Sequence, residues 1–305
     1  MALLVLHLRA ARGKARAAAV AEALALLHDL APSAPAGGPL SERGGVAWVE
    51  LPERHLAAAT ARLPRLGYST AVDLVAPAAG TPDLTWRRRP WRLERLHTED
   101  AAGHRERAPD RREFLFPAGG GPVRPVRGYR GGPGPLARRG LPVCDARLLV
   151  NLVAPAGPGL LLDPFAGVGG VALEARAAGW RTVTADLDPA LRHGLGRLGD
   201  AHLVADARRL PLRAGVLDAV ATEPPYDRGT GPLADQVLAE LHRLLRPGGA
   251  AALLCAAWQA AGLRATGAGL GLRVALDCPV DRRGTAVVAL AWRKPAGPAG
   301  PVGVY

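Results

Sequence analysis

The stretch LLLDPFAGVGG at residues 160–170 decides the fold. An apolar run ends in Asp163, and Gly167, Gly169 and Gly170 then open a helical pattern over 168–178. Glycine lets the backbone approach a ligand closely, and a helix start offers free N–H groups. Outward from this turn the pattern is regular. It predicts strands at 181–186, 202–206, 217–222 and 250–256, with helices at 189–198, 233–245 and 258–266. A further helix at 146–153 precedes the first strand. Strands alternating with helices predict a doubly wound α/β sheet. Two successive strands, 272–278 and 285–292, predict an antiparallel hairpin on its edge.

The glycine spacing is G-x-G-G, with Asp-Pro before the turn, and differs from the dinucleotide pattern G-x-G-x-x-G. A carboxylate beside the turn repels a pyrophosphate and attracts an ammonium, which favours S-adenosylmethionine. Asp186 ends the second strand, 23 residues after Asp163, where an acid accepts ribose hydroxyls. Asp206 ends the third, where it would accept an adenine amine beside the Ala207 N–H. A plain strand-to-helix turn, strand-end caps and, for Asp188, a helix cap are the simpler alternatives at each position taken singly. Three acids at the ends of three successive strands favour a ligand, because ligands in such sheets bind at those ends. The expected cofactor-holding set is Asp163, Phe165, Gly167, Gly169, Asp186, Leu187, Asp206 and Ala207.

The string TEPPYDRG at 222–229 follows the fourth strand. Two prolines stop sheet pairing and leave their carbonyls free to accept hydrogen bonds. Glu223 adds an acceptor and Tyr226 a stacking face. An exocyclic base amine needs this combination: acceptors on its N–H groups restore density to a delocalised nitrogen, and an aromatic face holds the base. Glu223, Pro224 and Tyr226 are therefore the expected catalytic residues, the alternative being a rigid loop around a packed tyrosine.

In order, DPFAGVGG, ADLDP, VADARRLPL, TEPPYDRG and LHRLLRPGG resemble the Rossmann-like class I S-adenosylmethionine-dependent methyltransferases. More narrowly, ARLLVNLV and TEPPYDRG resemble the tRNA guanine-N2 methyltransferases that act at guanosine 10, which carry a related glycine turn and a DPPY motif. The resemblance is good over about 140–255. It implies S-adenosylmethionine as cofactor and guanine N2 in tRNA as target. DNA amino-methyltransferases and protein glutamine methyltransferases share a related tetrapeptide. This chain has Glu223 where the family has Asp, which moves the carboxylate by about 1.5 Å. Residues 1–80 have room for one small domain, less than the THUMP and ferredoxin-like pair of that family.

The remaining sequence sets the context. The chain has 305 residues, a net charge of +12 and only 4% aromatics, so aliphatic side chains must fill its core. Residues 1–80 read as a small β-α-β-α-β domain, ferredoxin-like in outline. Residues 81–140 read as a basic Pro/Gly-rich connector with a short hairpin near 114–116, 141–294 as the catalytic domain and 295–305 as a flexible tail. Residues 86–139 hold 14 basic and 6 acidic groups, most of the excess charge. Basic groups alternating with aromatics suit a polyanion, and Arg87, Arg88, Arg89, Arg111, Arg112, Arg127 and Arg130 are the expected phosphate contacts. A solvated arginine-rich linker is the alternative.

Cys144, Cys255 and Cys278 lack metal-ligand spacing, so no metal is expected. No apolar run reaches about 18 residues and the N-terminus lacks a leader pattern, so a cytoplasmic protein without membrane association is expected. These readings converge on a methyltransferase of an RNA base amine. A DNA adenine-N6 or cytosine-N4 methyltransferase, a catalytically weak RNA-binding subunit, and methylation of a small molecule or protein remain alternatives.

Overall fold

The computed structural model describes residues 2–9, 15–30, 46–75, 93–98, 140–196, 199–227, 233–282 and 285–296. The N-terminal unit comprises β1 (Ala2–Leu8), α1 (Arg16–Leu26), β2 (Val46–Leu51), α2 (Leu56–Arg62), β3 (Ser69–Val75) and β4 (Leu93–Thr98). Its sheet has the order β2-β1-β3-β4, each neighbour antiparallel. β4 lies inside the segment read as a connector, so this unit extends past the expected boundary at residue 80. The sequence there, LERLHT, has two leucines in six residues and lacks the alternation that marks a strand.

The C-terminal half begins with α3 (Val143–Leu152), β5 (Leu160–Asp163), α4 (Gly170–Ala177), β6 (Arg181–Asp186), α5 (Arg192–Leu195) and β7 (Ala201–Val204). It continues with β8 (Leu217–Thr222), α6 (Leu233–Leu244), β9 (Leu245–Ala256), α7 (Ala260–Gly269), β10 (Arg273–Arg282) and β11 (Thr285–Arg293). The sheet order is β10-β11-β9-β8-β5-β6-β7. Strands β7 through β9 are parallel, and β11 runs against both β9 and β10. The expected edge hairpin is therefore present. β9 starts five residues earlier than the sequence pattern suggests. Its pairing with β8 jumps from Leu217↔Leu245 to Ala219↔Ala250, so Arg246–Gly249 forms a bulge.

Strand alternation divides the core between the two faces. Val220, Leu253 and Leu290 pack under α6 and α7, with Val237, Leu241 and Leu263. Ala219, Ala221, Leu254 and Ala289 face the other way, toward α3 and α4. That second face also receives α1 of the N-terminal unit. Ala18, Ala19, Ala23 and Leu26 of α1 share one core with Leu148 and Leu149 of α3 and with Leu276, Cys278 and Val280 of β10. α1 is alanine-rich because it sits between its own sheet and this layer, where larger side chains would not fit.

Polar bonds lock the two halves at the same place. Glu22 of α1 is fully buried and accepts from Gly67 N (2.7 Å), Tyr68 N (3.0 Å) and Asn151 Nδ2 (2.8 Å) of α3. Burial pushes its carboxyl above the usual range, against the pull of those donors. Arg147 of α3 donates to Glu174 of α4 at 2.9 Å and to the Pro64 carbonyl at 3.2 Å. A Cβ on Gly67 would lie 2.2 Å from the Cys144 carbonyl oxygen, so only glycine fits there. Among the described residues no helix is long and apolar enough to cross a membrane.

Candidate functional site

Strand order reverses between β5 and β8, and a cavity of about 1140 Å³ opens at the carboxyl ends of these strands. Such a crevice is where open α/β sheets bind ligands. Its walls come from the ends of β5, β6 and β8, the loop after β7, the start of α6 and the β10–β11 hairpin.

The turn after β5 is shaped by Gly169, which takes a left-handed φ of 83° as the residue before α4. A side chain would be strained there. Asp163 is 2% exposed and lines the cavity. Its Oδ1 accepts the Thr222 hydroxyl at 2.6 Å and the Phe165 N–H at 3.2 Å. Its Oδ2 has no partner among the described residues. Burial pushes its carboxyl up to about 7, helped by the nearby Asp186 and Glu223 charges. A cationic ligand group at Oδ2 would favour the ionised form.

Asp186 accepts from Gly167 N at 2.9 Å and from Asp188 N at 3.0 Å, which fixes its carboxylate at the cavity wall. Leu187 beside it is 70% exposed, an apolar side chain left uncovered at the rim. Phe165 and Leu233 line the same cavity. Acceptors beside uncovered apolar side chains fit an adenosine-shaped ligand. Asp188 is a cap, accepting from Ala190 N at 2.9 Å, as the simpler alternative holds.

Asp206 differs from expectation. Its Oδ1 accepts from Arg208 N (2.9 Å) and Nε (3.0 Å), and its Oδ2 from Arg208 Nη2 (2.5 Å). The Arg208 side chain holds the Asp206 carboxyl below its usual range. An adenine amine would compete with Arg208 for this carboxylate, a pairing that two adjacent arginines in the sequence did not reveal.

Glu223, Pro224, Pro225 and Tyr226 form the wall opposite the glycine turn. The Tyr226 hydroxyl and Arg282 Nη1 both donate to Glu223 Oε1. Glu223 Oε2 has no partner among the described residues. Burial raises the Glu223 carboxyl and the Arg282 charge opposes that rise. Burial and the Glu223 charge push the Tyr226 phenol well above its ordinary value, so it stays a donor. The two proline carbonyls are not equivalent, contrary to the sequence expectation. Gln259 donates its side-chain amide to the Pro225 carbonyl at 2.9 Å and accepts from Ala256 N at 2.9 Å. Only the Pro224 carbonyl lacks a partner among the described residues.

The fold thus brings Asp163, Phe165, Gly167, Asp186, Leu187, Asp206, Ala207, Glu223, Pro224 and Tyr226 to one cavity. Gly169 shapes the turn without lining it. Arg87, Arg88, Arg89, Arg111, Arg112, Arg127 and Arg130 lie outside the described residues, as does the hairpin expected near 114–116. Sequence reasoning missed Gln259 and Arg282. Arg282 sits beside Arg283 and Gly284 at a hairpin tip, a pattern that reads as solvated turn.

A family profile described as "Methyltransferase domain" matches residues 162–253. A tRNA (guanine(10)-N2)-dimethyltransferase of Methanothermobacter thermautotrophicus is 41% identical over 88 residues, which is 27% of this chain. The match spans about a quarter (26%) of that relative's own length. The structure of TrmN from Thermus thermophilus superposes with a TM-score of 0.53 at 20% identity, covering 96% of this chain and 100% of that one. A geranyl diphosphate methyltransferase in complex with SAM gives a TM-score of 0.43 at 18% identity over 50% of this chain and 86% of that one. The profile match runs from β5 to β9, the strands whose ends line most of the cavity, and the sheet has the order and edge hairpin of the Rossmann-like group. Residues 162–253 therefore match a methyltransferase domain, and the sheet that contains them has the Rossmann-like fold that binds S-adenosylmethionine.

Proposed function

We propose that this methyltransferase acts on an exocyclic base amine of RNA, with guanine N2 in tRNA as its target. The observation that carries the reading is the pair of open acceptors at the end of β8. Among the described residues Glu223 Oε2 and the Pro224 carbonyl have no partners at the cavity wall, and one amine has two N–H groups to give them. The tRNA target is supported by the partial relative and by the basic segment at 86–139, whose arginines would hold phosphates. A tRNA-modifying role sets the protein in the cytoplasm.

Asp163 would hold the methionine ammonium, Asp186 the ribose hydroxyls, and Leu187 with Phe165 the adenine. Asp206 and Ala207 would meet the adenine edge once Arg208 yields. When bound, S-adenosylmethionine supplies an electrophilic methyl group on a sulfonium that leaves as a neutral thioether. Glu223 and Pro224 hold the amine protons, which raises electron density on the nitrogen and aims its lone pair. Tyr226 supports the base and keeps Glu223 in place. The anionic Glu223 also stabilises the positive charge that grows on the methylated nitrogen before its proton leaves.

The test is incubation with labelled S-adenosylmethionine and, in parallel, total tRNA, total RNA, DNA and protein, followed by nucleoside mass spectrometry. N2-methylguanosine in tRNA is expected. Label in DNA or protein alone would overturn the RNA reading, and no label in any pool would favour a binding role.

A further inference from the structure

We propose that Tyr68, Asp145 and Arg282 form a positioning chain that turns Glu223 so that one carboxylate oxygen is held and the other faces the substrate amine. This rests on reading Glu223 as the amine acceptor. Arg282 Nη1 donates to Glu223 Oε1, and it lies 3.3 Å from the Tyr226 hydroxyl. Arg282 Nε lies 3.3 Å from Asp145 Oδ2. The Tyr68 hydroxyl donates to Asp145 Oδ1 at 2.9 Å. One guanidinium therefore bridges two carboxylates, and each carboxylate receives a tyrosine hydroxyl.

The members come from four distant parts of the chain. Tyr68 precedes β3 of the N-terminal unit, Asp145 is in the first turn of α3, Arg282 ends β10 and Glu223 follows β8. Asp145 is fully buried, and the Arg282 side chain is 19% exposed. A planar guanidinium held this way has few rotamers left. It fixes Oε1 in position and in plane, and Oε2 is then the only acceptor Glu223 can offer. The arrangement also accounts for glutamate where related motifs have aspartate. The side chain longer by one methylene reaches a donor on the edge hairpin, and that donor is anchored to α3.

The charges around Glu223 make the chain measurable. Asp163 at the end of β5 and Asp145 of α3 are the neighbouring carboxyl groups, Arg282 of β10 is the cation, and Tyr226 is a neutral donor from Glu223's own loop. Without Arg282, a buried carboxylate facing two others would hold its proton to higher pH, and a protonated Glu223 is a poor acceptor.

The experiment compares wild type with Arg282→Gln, Arg282→Lys and Tyr68→Phe in the full chain. Kinetics on tRNA across pH are paired with carboxyl titration of Glu223 by 13C NMR, assigned with Glu223→Gln. Arg282→Gln should lower kcat about tenfold or more and move the acid limb upward by about one pH unit, with cofactor affinity within about twofold. Arg282→Lys should recover part of the rate. Tyr68→Phe, which removes a single hydroxyl and keeps the ring, should act in the same direction with a smaller size. It carries the test if Arg282→Gln fails to fold.

An unmoved acid limb, or a change in KM alone, would overturn the chain. An unshifted Glu223 titration in both Arg282→Gln and Tyr68→Phe would overturn it whatever the substrate. A shifted titration in a protein that methylates no RNA would sink the substrate reading and support the chain.

Discussion

Thr222 donates its hydroxyl to Asp163 Oδ1 at 2.6 Å, tying the tip of β8 to the tip of β5 across the switch point. The acceptor that would hold the cofactor ammonium is thereby coupled to the residue just before Glu223.

Cofactor binding should depend on pH through Asp163. With its carboxyl at about 7, the ionised fraction rises about fivefold between pH 6 and 7. Affinity should rise with it, then fall above about pH 8 as the ligand's α-amino group deprotonates. Calorimetry at several pH values should also show proton release below pH 7. Asp163→Asn should bind weakly and lose the acid limb. In the unliganded protein the sign is opposite. A folded-state carboxyl raised far above the unfolded value near 4 stabilises the fold fully below about pH 4, and that contribution is lost as pH rises through 7. Asp163→Asn should therefore melt relatively better at pH 8 than at pH 5.

Asp186→Ala should weaken S-adenosylmethionine binding roughly 10–150-fold, the range for a hydrogen bond to a charged group. It also removes the acceptor for Gly167 N and Asp188 N, so Asp186→Asn separates charge from turn geometry. Arg208→Ala should act in the opposite direction and improve affinity by releasing Asp206. A loss of affinity in Arg208→Ala would mean that the arginine itself touches the cofactor.

Tyr226→Ala should slow methyl transfer by about 1–3 kcal/mol of lost stacking, with cofactor affinity almost unchanged. Glu223→Gln should lower the rate without abolishing it. Glu223→Asp should be slower than wild type, because the shorter side chain cannot meet Arg282 and Tyr226 while Arg282 stays on Asp145. Equal rates in all three variants would reduce TEPPYDRG to a rigid turn.

Replacing Arg87, Arg88 and Arg89 together with Ala should flatten the salt dependence of RNA binding by about 0.7–0.9 per lost phosphate contact on a log–log plot. Filter binding across a salt series measures it. An unchanged slope would make these arginines a solvated linker.

Gly67→Ala should destabilise the protein by about 1–3 kcal/mol, since the added Cβ would sit 2.2 Å from the Cys144 carbonyl oxygen and 2.9 Å from Arg147 Cβ. Thermal melting measures the loss.

What could be read in the sequence was what neighbours in sequence decide. The strand–turn–helix around Asp163, the acids ending β5 and β6 and the one two residues past β7, and the edge hairpin are local patterns of period and punctuation. Arg282, Gln259 and the Asp206–Arg208 pair were not legible. Arg282 reaches Glu223 across 59 residues and Gln259 reaches Pro225 across 34, distances at which only the folded sheet sets proximity. α1 reads as an ordinary alanine-rich helix, and nothing local says that its second face covers β10. β4 was missed because its pairing with β3, rather than its own composition, makes it a strand.

The shared core of α1 and β10 has a consequence for synthesis. α1 is complete by residue 26, and β10 begins at residue 273. At about 5–20 residues per second, roughly 12–50 s separate their emergence from the ribosome. During that interval Ala18, Ala19 and Leu26 have no β10 to cover, and the cavity wall bearing Arg282 does not yet exist. Nascent chains stalled before residue 273 should therefore expose apolar surface and recruit chaperones, and release should come in one late step when the edge hairpin docks.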